Sequence, residues 1–366
     1  MCGIVAIYNN QIKFDKDMRS KCLKMSKKVR HRGPDWSGIY SSDNAILAHE
    51  RLSIVDIKSG RQPLFSNDKN IILTVNGEIY NHLDFRNSSK IDYKYQTNSD
   101  CEVIIPLFKA YGKDLLNHLN GIFSFFLYDK LENTFFVARD PIGVIPLYMG
   151  NDKNGTSYFS SEMKSLVGKC QNIKEFPPGH YMTNNDTEPL KYYKKNWMKF
   201  DNIKNYNSKK QLNVTLENAV KRQLMSDVPF GVLLSGGLDS SSIVAMAIEN
   251  NPDISCFSIK TSGGVEKGMT DDLPYAKEVA KFLGVELNII PISSNKMCDD
   301  FVRMIRELDE PLSDPAVFNL KYICQLARDQ GIKVLLSGAG GDDIFTGYRR
   351  HKAIAYDKYW KLFPDT

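Results

Sequence analysis

The polar, aromatic and lysine-rich stretch KYYKKNWMKFDNIKNYNSKK, residues 191–210, carries neither a helical nor a strand period and divides the chain into two halves of different texture. Before it, short β-rich runs follow one another with turns between them: GIVAIY, IILTV, GIFSFFLYD, FFVARD and SYFSS. Two helical patterns interrupt them. One lies around 17–29, with Met18, Cys22, Met25 and Val29 on one face; the other lies around 100–111 and opens on Ser99 and Glu102 in capping-box spacing. After the stretch, strands and helices alternate. FGVLL leads into a helix through Ile243, Val244, Ala247 and Ile248; SCFSIK leads into PYAKEVAKFLG, which opens on Pro274 after Asp271 and Asp272 and closes at Gly284. A further helix near 319–330 ends at Gly331 and feeds the strand KVLLS.

The first texture predicts an α+β domain of layered sheets covered by helices, the second a doubly wound α/β domain with a mostly parallel sheet. With 366 residues, two domains are the natural division. Their expected extents are 1–190 and 211–366, joined by a connector over 191–210. The last residues, KYWKLFPDT, continue a helical pattern that no strand follows, so the second domain is expected to be incomplete.

Composition narrows the function classes. Apolar residues at 42% and charged residues at 25% are those of a globular protein, and no apolar run is long enough to cross a bilayer. The seven cysteines are scattered and form no C-x-x-C pair, which argues against a disulfide framework and a structural zinc site. A net charge of +5 is mild and disfavours nucleic acid as a partner. The opening MCGIVAIYNN lacks the basic region and cleavage site of a secretory signal, and a cytoplasmic location is expected.

Cys2 is the first candidate for chemistry. Removal of Met1 would leave a thiol and a free α-amine on one residue, with the amine titrating close enough to neutrality to exchange a proton with the thiol. The other reading is a buried cysteine on an amino-terminal strand. Around it stand RHRGPD (30–35), HERLSIVD (49–56), NGEIYNH (76–82) and SDCEVI (99–104). Arg51 offers a planar fork of donors suited to a carboxylate, or else a surface salt bridge. Asp100 fits an ammonium ligand or an acidic helix start, and NGE fits a donor site or an ordinary turn.

Together with M-C-G-I at the amino terminus, these motifs resemble the class II glutamine amidotransferases, and within them the asparagine synthetases. The resemblance covers nearly the whole chain. It implies a layered αββα N-terminal-nucleophile glutaminase in which Cys2 attacks glutamine and Asn76 and Gly77 form the oxyanion hole. Arg51, Leu52, Ser53, Ile54, Val55, Asn76, Gly77, Glu78 and Asp100 would bind glutamine, with Arg51 on its carboxylate and Glu78 and Asp100 on its ammonium.

In the second half, SGGLDS (235–240) follows the apolar strand FGVLL and precedes a helix, the setting in which glycines and a helix N-terminus receive phosphate. This sequence resembles the signature of the ATP-pyrophosphatase family. The resemblance implies that Ser235, Gly236, Gly237, Asp239 and Ser240 bind ATP. Leu233, Ile259, Ser337 and Gly338 would line the adenosine pocket, although Leu233 and Ile259 would be apolar as strand packing alone. Asp239 and Asp342, the latter in SGAGGDD (337–343), would hold Mg²⁺. Aspartate would be activated as β-aspartyl-AMP, and ammonia, carried through an internal tunnel, would displace AMP. Asparagine, glutamate, AMP and pyrophosphate would be the products and a homodimer the assembly.

The later motif departs from the family pattern S-G-E-G-x-D-E. Ala339 replaces the first glutamate and Asp343 shortens the final acid. The acceptor therefore stays open between aspartate and another carboxylate, such as a sugar acid of a polysaccharide pathway, and a non-catalytic regulatory homologue is the remaining alternative. Intact Cys2 disfavours relatives that close β-lactam rings without glutamine. Glu310 and Asp314, in DEPLSDPA, are further candidates for addressing the acceptor. The family's usual carboxy-terminal part, with further synthetase residues, would follow Thr366.

Overall fold

Two strands of the amino-terminal half show no alternation of burial: β1 (Gly3–Tyr8) and β3 (Ala45–Arg51) are buried at every position. A strand with that pattern needs cover on both faces, and the surrounding elements supply it. The computed structural model describes residues 1–194, 208–262, 272–314 and 316–356. Most of the expected connector, 195–207, lies outside these residues, as does KYWKLFPDT. The chain forms two units, Met1–Ser208 and Lys209–Thr366.

In the first unit the remaining strands are β2 (Trp36–Ser41), β4 (Leu64–Phe65), β5 (Ile71–Ile79), β6 (Gly121–Asp129), β7 (Thr134–Arg139), β8 (Tyr148–Asn151), β9 (Ser157–Ser160), β10 (Gln171–Glu175), β11 (His180–Thr183) and β12 (Leu190–Lys191). Its helices are α1 (Lys16–Lys28), α2 (His82–Arg86), α3 (Ile104–Tyr111) and α4 (Met163–Leu166). One sheet runs β10-β8-β9-β1-β3-β2 and the other β12-β11-β7-β6-β5-β4, with the paired strands antiparallel.

The alternation of side chains fixes the layers. From β1, Ile4, Ala6 and Tyr8 meet Ile72, Phe126 and Phe135 of the second sheet, while Val5 and Ile7 meet Cys22, Met25 and Val29 of α1 and its end. The outer face of the second sheet, through Leu73, Val75, Phe125 and Phe136, packs on Ile104, Ile105 and Leu107 of α3. The order helix, sheet, sheet, helix is the expected αββα arrangement.

Local expectations differ in detail. Asp15 caps α1, its Oδ1 accepting from Met18 N at 2.9 Å, so this helix starts one residue earlier than the periodicity placed it. The capping box at Ser99 does not form. Asp100–Val103 is a 3₁₀ turn whose Ser99 side chain makes no capping bond, and the Glu102 carboxylate turns back to accept from Gln96 N, Thr97 N and Thr97 Oγ1. NGE is not a turn. It continues β5, and Gly77 bends the strand with φ at +147°, so close to β6 that a Cβ would stand 2.1 Å from Ile122 O.

In the second unit, β13 (Phe230–Leu233), β14 (Ser255–Ser262), β15 (Glu286–Ser293) and β16 (Val334–Leu336) form a parallel sheet in the order β15-β14-β13-β16. The helices are α5 (Ser208–Gln223), α6 (Leu238–Ile248), α7 (Leu273–Leu283), α8 (Ser294–Glu307), α9 (Ala316–Asp329), α10 (Gly341–Phe345) and α11 (Arg349–Ala355). One sheet face packs on Val244, Ala247, Ala276 and Ala280 of α6 and α7, the other on Ile323 and Ala327 of α9, which makes the unit doubly wound. In chain order the strands read 3-2-1-4, so the direction of winding reverses between β13 and β16, where open α/β sheets leave a crevice at the strands' carboxyl ends. Among the described residues, no helix is long and apolar enough to cross a membrane.

Phe126 is fully buried between the two sheets of the first unit, with its ring centroid 5.2 Å from Phe135 and 5.4 Å from Phe159. Phe126→Ala is expected to cost that unit about 3–5 kcal/mol. Urea unfolding against the wild type measures it.

Candidate active site

Cys2 precedes β1, and the register Gly3↔Glu50 sets it beside the end of β3. Its Sγ accepts from Leu52 N at 3.4 Å and lies 3.7 Å from Leu52 O. From behind, Arg32 Nε donates to Cys2 O at 3.0 Å, and Arg32 Nη1 donates to Glu162 Oε1 at 2.9 Å. Glu162 also takes His31 Nε2 at 3.0 Å and Lys164 Nζ at 2.8 Å. Burial works against its ionisation, yet the bonds from His31, Lys164 and Arg32 hold its pKa down at about 2. The backbone of Cys2 is thus tied to a persistent ion cluster.

The segment RHRGPD explains itself as support for this corner. Gly33 lies so close to β3 that a Cβ would stand 2.1 Å from Glu50 O, and Arg30 Nη1 donates to Glu50 Oε2 at 2.8 Å. Asp35 Oδ2 accepts from Ser53 N at 2.8 Å and pins the loop after β3.

Arg51 is no surface salt bridge. It is only 5% exposed, and its guanidinium donates to Val55 O at 3.0 Å, Asp56 O at 2.6 Å and Ile57 O at 3.4 Å. The same side chain that faces the cleft therefore also folds the loop that walls it. A cleft of about 490 Å³, measured out to its open mouth, gathers Cys2, Arg51, Leu52, Ile54, Val55, Gly77, Glu78 and Asp100. Ser53 and Asn76 are not among its lining residues. Ser53 is buried with its N–H held by Asp35, and Asn76 is fully buried with Nδ2 3.4 Å from Ser161 Oγ.

Two acids crowd the opposite wall. Asp100 Oδ2 accepts from Ile79 N at 2.7 Å, but burial pushes its pKa up to about 6. Burial and then the neighbouring Asp100 push Glu78 up to about 7. Burial also lowers the pKa of the Met1 amine and raises that of the Cys2 thiol. The cleft thus presents a thiol, a guanidinium and two carboxyls that ionise at a cost unless a cation joins them.

Sequence reading gave no part to Cys101, Gln62 or Glu162. Cys101 and Gln62 line the cleft, and Cys101 Sγ lies 3.6 Å from both Gly77 O and Asp100 Oδ2. SDCEVI and RHRGPD were visible as motifs, whereas Glu162 sits in a stretch that carries no motif at all.

In the second unit, the loop after β13 runs over Ser235, Gly236 and Gly237 into α6. Gly236 has φ at +83°, and a Cβ there would stand 2.4 Å from Ala276 N. Ser235 Oγ and Ser240 Oγ lie 3.0 Å apart, and Gly237 N donates to Ser235 Oγ at 3.3 Å. The loop after β16 packs on the same helix end: a Cβ on Gly338 would stand 2.9 Å from Ser240 N, and one on Gly341 2.3 Å from Asp239 Oδ2. Ser337, Gly338, Asp239 and Ser240 therefore meet at the switch point. Asp342, one residue beyond Gly341, is exposed in the first turn of α10. Leu233 and Ile259 are half-buried against the cluster of Phe257, Ile323 and Ala327, as strand packing requires. Asp314 Oδ1 accepts from Ala316 N at 2.9 Å and so starts α9, while Glu310 is exposed. Among the described residues, no three His, Cys, Asp or Glu side chains are placed to hold a metal by themselves.

The raised pKa of Glu78 has a stability consequence. Because it lies above the unfolded value of 4.5, the folded chain holds the extra proton between about pH 4.5 and 7 and loses stability as pH rises through that window. Glu78→Gln is expected to be more stable than the wild type at pH 8 by about 2–3 kcal/mol, a gap that closes below pH 4.5. Urea unfolding at the two pH values measures it; equal stability at pH 8 would count against a buried, strained carboxyl.

Residues 1–185 match the glutamine amidotransferase domain family and residues 211–364 the asparagine synthase family. The glutamine-hydrolyzing asparagine synthetase B of Escherichia coli is 43% identical, over 96% of this chain and 66% of its own length. A probable glutamine-hydrolyzing asparagine synthetase of Dictyostelium discoideum is 40% identical over 95% and 65%, and glutamine-hydrolyzing asparagine synthetase 1 of Arabidopsis thaliana 39% identical over 96% and 61%. The chain spans about two thirds of the length of the curated relatives it matches. It belongs to the glutamine amidotransferase family, in the branch that joins this domain to an asparagine synthase domain.

Proposed function

We propose that the chain carries out the glutamine-hydrolysing and ATP-activating steps of a glutamine-dependent asparagine synthetase. The observation that carries the reading is the cleft itself, in which the Cys2 thiol, the Arg51 guanidinium and the Glu78 and Asp100 carboxyls converge. Free glutamine has the complementary groups: a carboxylate for Arg51, an ammonium to neutralise the two acids, and a side-chain amide left beside the thiol.

After removal of Met1, the α-amine of Cys2 takes the thiol proton as Sγ attacks the γ-carbonyl of glutamine. The developing oxyanion falls to the backbone N–H of Gly77 and to the Asn76 amide N–H. The C–N bond then breaks, the α-ammonium returns the proton to the leaving nitrogen, and ammonia departs. Water hydrolyses the thioester to glutamate. Leu52 N–H, on the sulfur, and Arg32, on the Cys2 carbonyl, hold the nucleophile in place throughout.

In the second unit, ATP is the substrate assigned to the loops at the β13–β16 switch point, its phosphates on Ser235, Gly236, Gly237 and Ser240 and its adenosine near Leu233, Ile259, Ser337 and Gly338. Two carboxylates without a third protein ligand suit Mg²⁺, which is commonly held by one or two acids together with substrate phosphates. Asp239 and Asp342 would hold it, and the ion would neutralise charge on the departing pyrophosphate. Aspartate is the acceptor of first choice, its β-carboxylate attacking the α-phosphate before ammonia displaces AMP. Ala339 favours a second reading at this one step, with another carboxylate such as a sugar acid as acceptor. The seven free cysteines fit a reducing compartment, with cytoplasm and a homodimer as the setting we infer.

Cys2→Ala is expected to abolish glutamate release from glutamine, and Asn76→Ala to lower it about a hundredfold. Wild-type turnover in Asn76→Ala would reject the oxyanion role. Exchange of pyrophosphate into ATP that depends on aspartate is expected of the acceptor reading; exchange that depends on a sugar acid instead would replace it.

A further inference from the structure

Behind the Cys2 cleft, the layer between the two sheets changes character along its length. Its far end is apolar, filled by Tyr8, Tyr128 and Phe135. Toward the cleft the inward-facing positions turn polar: Leu47 is followed by His49 along β3, and Ile72 by Thr74 and Asn76 along β5. His49, Thr74 and Asn76 are all 0% exposed. His49 Nε2 lies 3.0 Å from Val75 O. Val75 stands between Thr74 and Asn76, so the imidazole is held over the stretch of strand that those two side chains flank.

A carbonyl only accepts, so Nε2 carries the proton and Nδ1 is a bare acceptor. Burial pushes the His49 pKa down to about 3, which keeps the ring neutral and in this tautomer. Nδ1 has no hydrogen-bond partner in the protein, and neither do Thr74 Oγ1 and Asn76 Oδ1. Leaving such atoms unpaired and dry is costly, since each has given up its bonds to bulk water. Two acceptors and a hydroxyl, all buried and unpaired on residues gathered around Val75, match the bonding capacity of one water: two donated bonds and one accepted, the usual complement of a buried water.

We propose that His49, Thr74 and Asn76 form a binding site for buried water, which donates to His49 Nδ1 and Asn76 Oδ1, accepts from Thr74 Oγ1, and so dictates which edge of the Asn76 amide presents its N–H donors. Thr74 and His49 are positioning residues in this arrangement. The consequence for oxyanion binding rests on the glutaminase reading above; the water site itself does not.

The test is a crystal structure of the whole chain, at a resolution that shows ordered solvent, for the wild type and for Thr74→Val. A water within about 3.2 Å of both His49 Nδ1 and Asn76 Oδ1 is expected in the wild type and its loss or displacement in the variant. A dry layer in the wild type, or Asn76 Oδ1 paired with a protein donor, overturns the site. In kinetics, Thr74→Val is expected to lower kcat for glutamate release about tenfold with KM for glutamine changed by no more than about twofold, and Thr74→Ser to restore it. An unchanged kcat in a variant that has lost the water overturns the positioning role. Failure of the glutaminase reading would look different: the wild type would release no glutamate while the water remained in the density.

Discussion

Burial of β1 on both faces is the constraint on which the amino-terminal unit depends. One face needs the second sheet and the other needs α1, so the αββα order follows from a single six-residue strand with apolar residues at nearly every position. The same constraint fixes the chemistry. Paired with β3 on one edge and β9 on the other, β1 is held in register by both ladders, and Cys2 at its start is held to the end of β3. A thiol on a loop would need its own restraints; here the sheet provides most of them. The Arg32–Glu162 pair and Leu52 N–H supply what remains.

The cleft at this corner is built against its own stability. Glu78 and Asp100 are two acids in a buried wall, and the guanidinium nearest the thiol spends three of its bonds on the carbonyls of its own loop. Burial leaves both acids costly to ionise, even with the Met1 amine near Glu78. That separates this wall from the ion cluster of Arg32, His31, Lys164 and Glu162, where the charges are matched and the carboxyl stays ionised far below neutrality.

The sequence made the two-unit plan and both fold classes legible because they rest on periodicity and on the order of elements. The family resemblance carried by the motifs likewise points to Cys2, Arg51, Gly77, Glu78 and Asp100, which share one cleft. Less was legible where the answer depends on contacts between residues far apart in the chain. Glu162 reaches Arg32 across 130 positions, and no local pattern marks it. The capping box at Ser99 failed because Glu102 found closer donors at Gln96 and Thr97 in the preceding loop. NGE looked like a turn because Asn-Gly usually is one, whereas here the glycine is needed inside a strand by the close approach of Ile122. The inward orientation of Asn76 follows from the alternation along β5 that also turns Ile72 and Thr74 into the inter-sheet layer.

The second unit shows why a departure from a family pattern at residue 339 is compatible with an intact nucleotide loop. The close approaches that shape the switch point belong to glycines: Gly236 against the start of α7, Gly338 against Ser240, and Gly341 against Asp239. Ala339, between the last two, is exposed, and its backbone N–H donates to Ser337 Oγ at 3.0 Å. A glutamate there would add a carboxylate at an exposed position and leave these main-chain approaches as they are. The close approaches at the switch point are thus made by glycines and main chain, and the fold of this loop does not depend on a long side chain at residue 339.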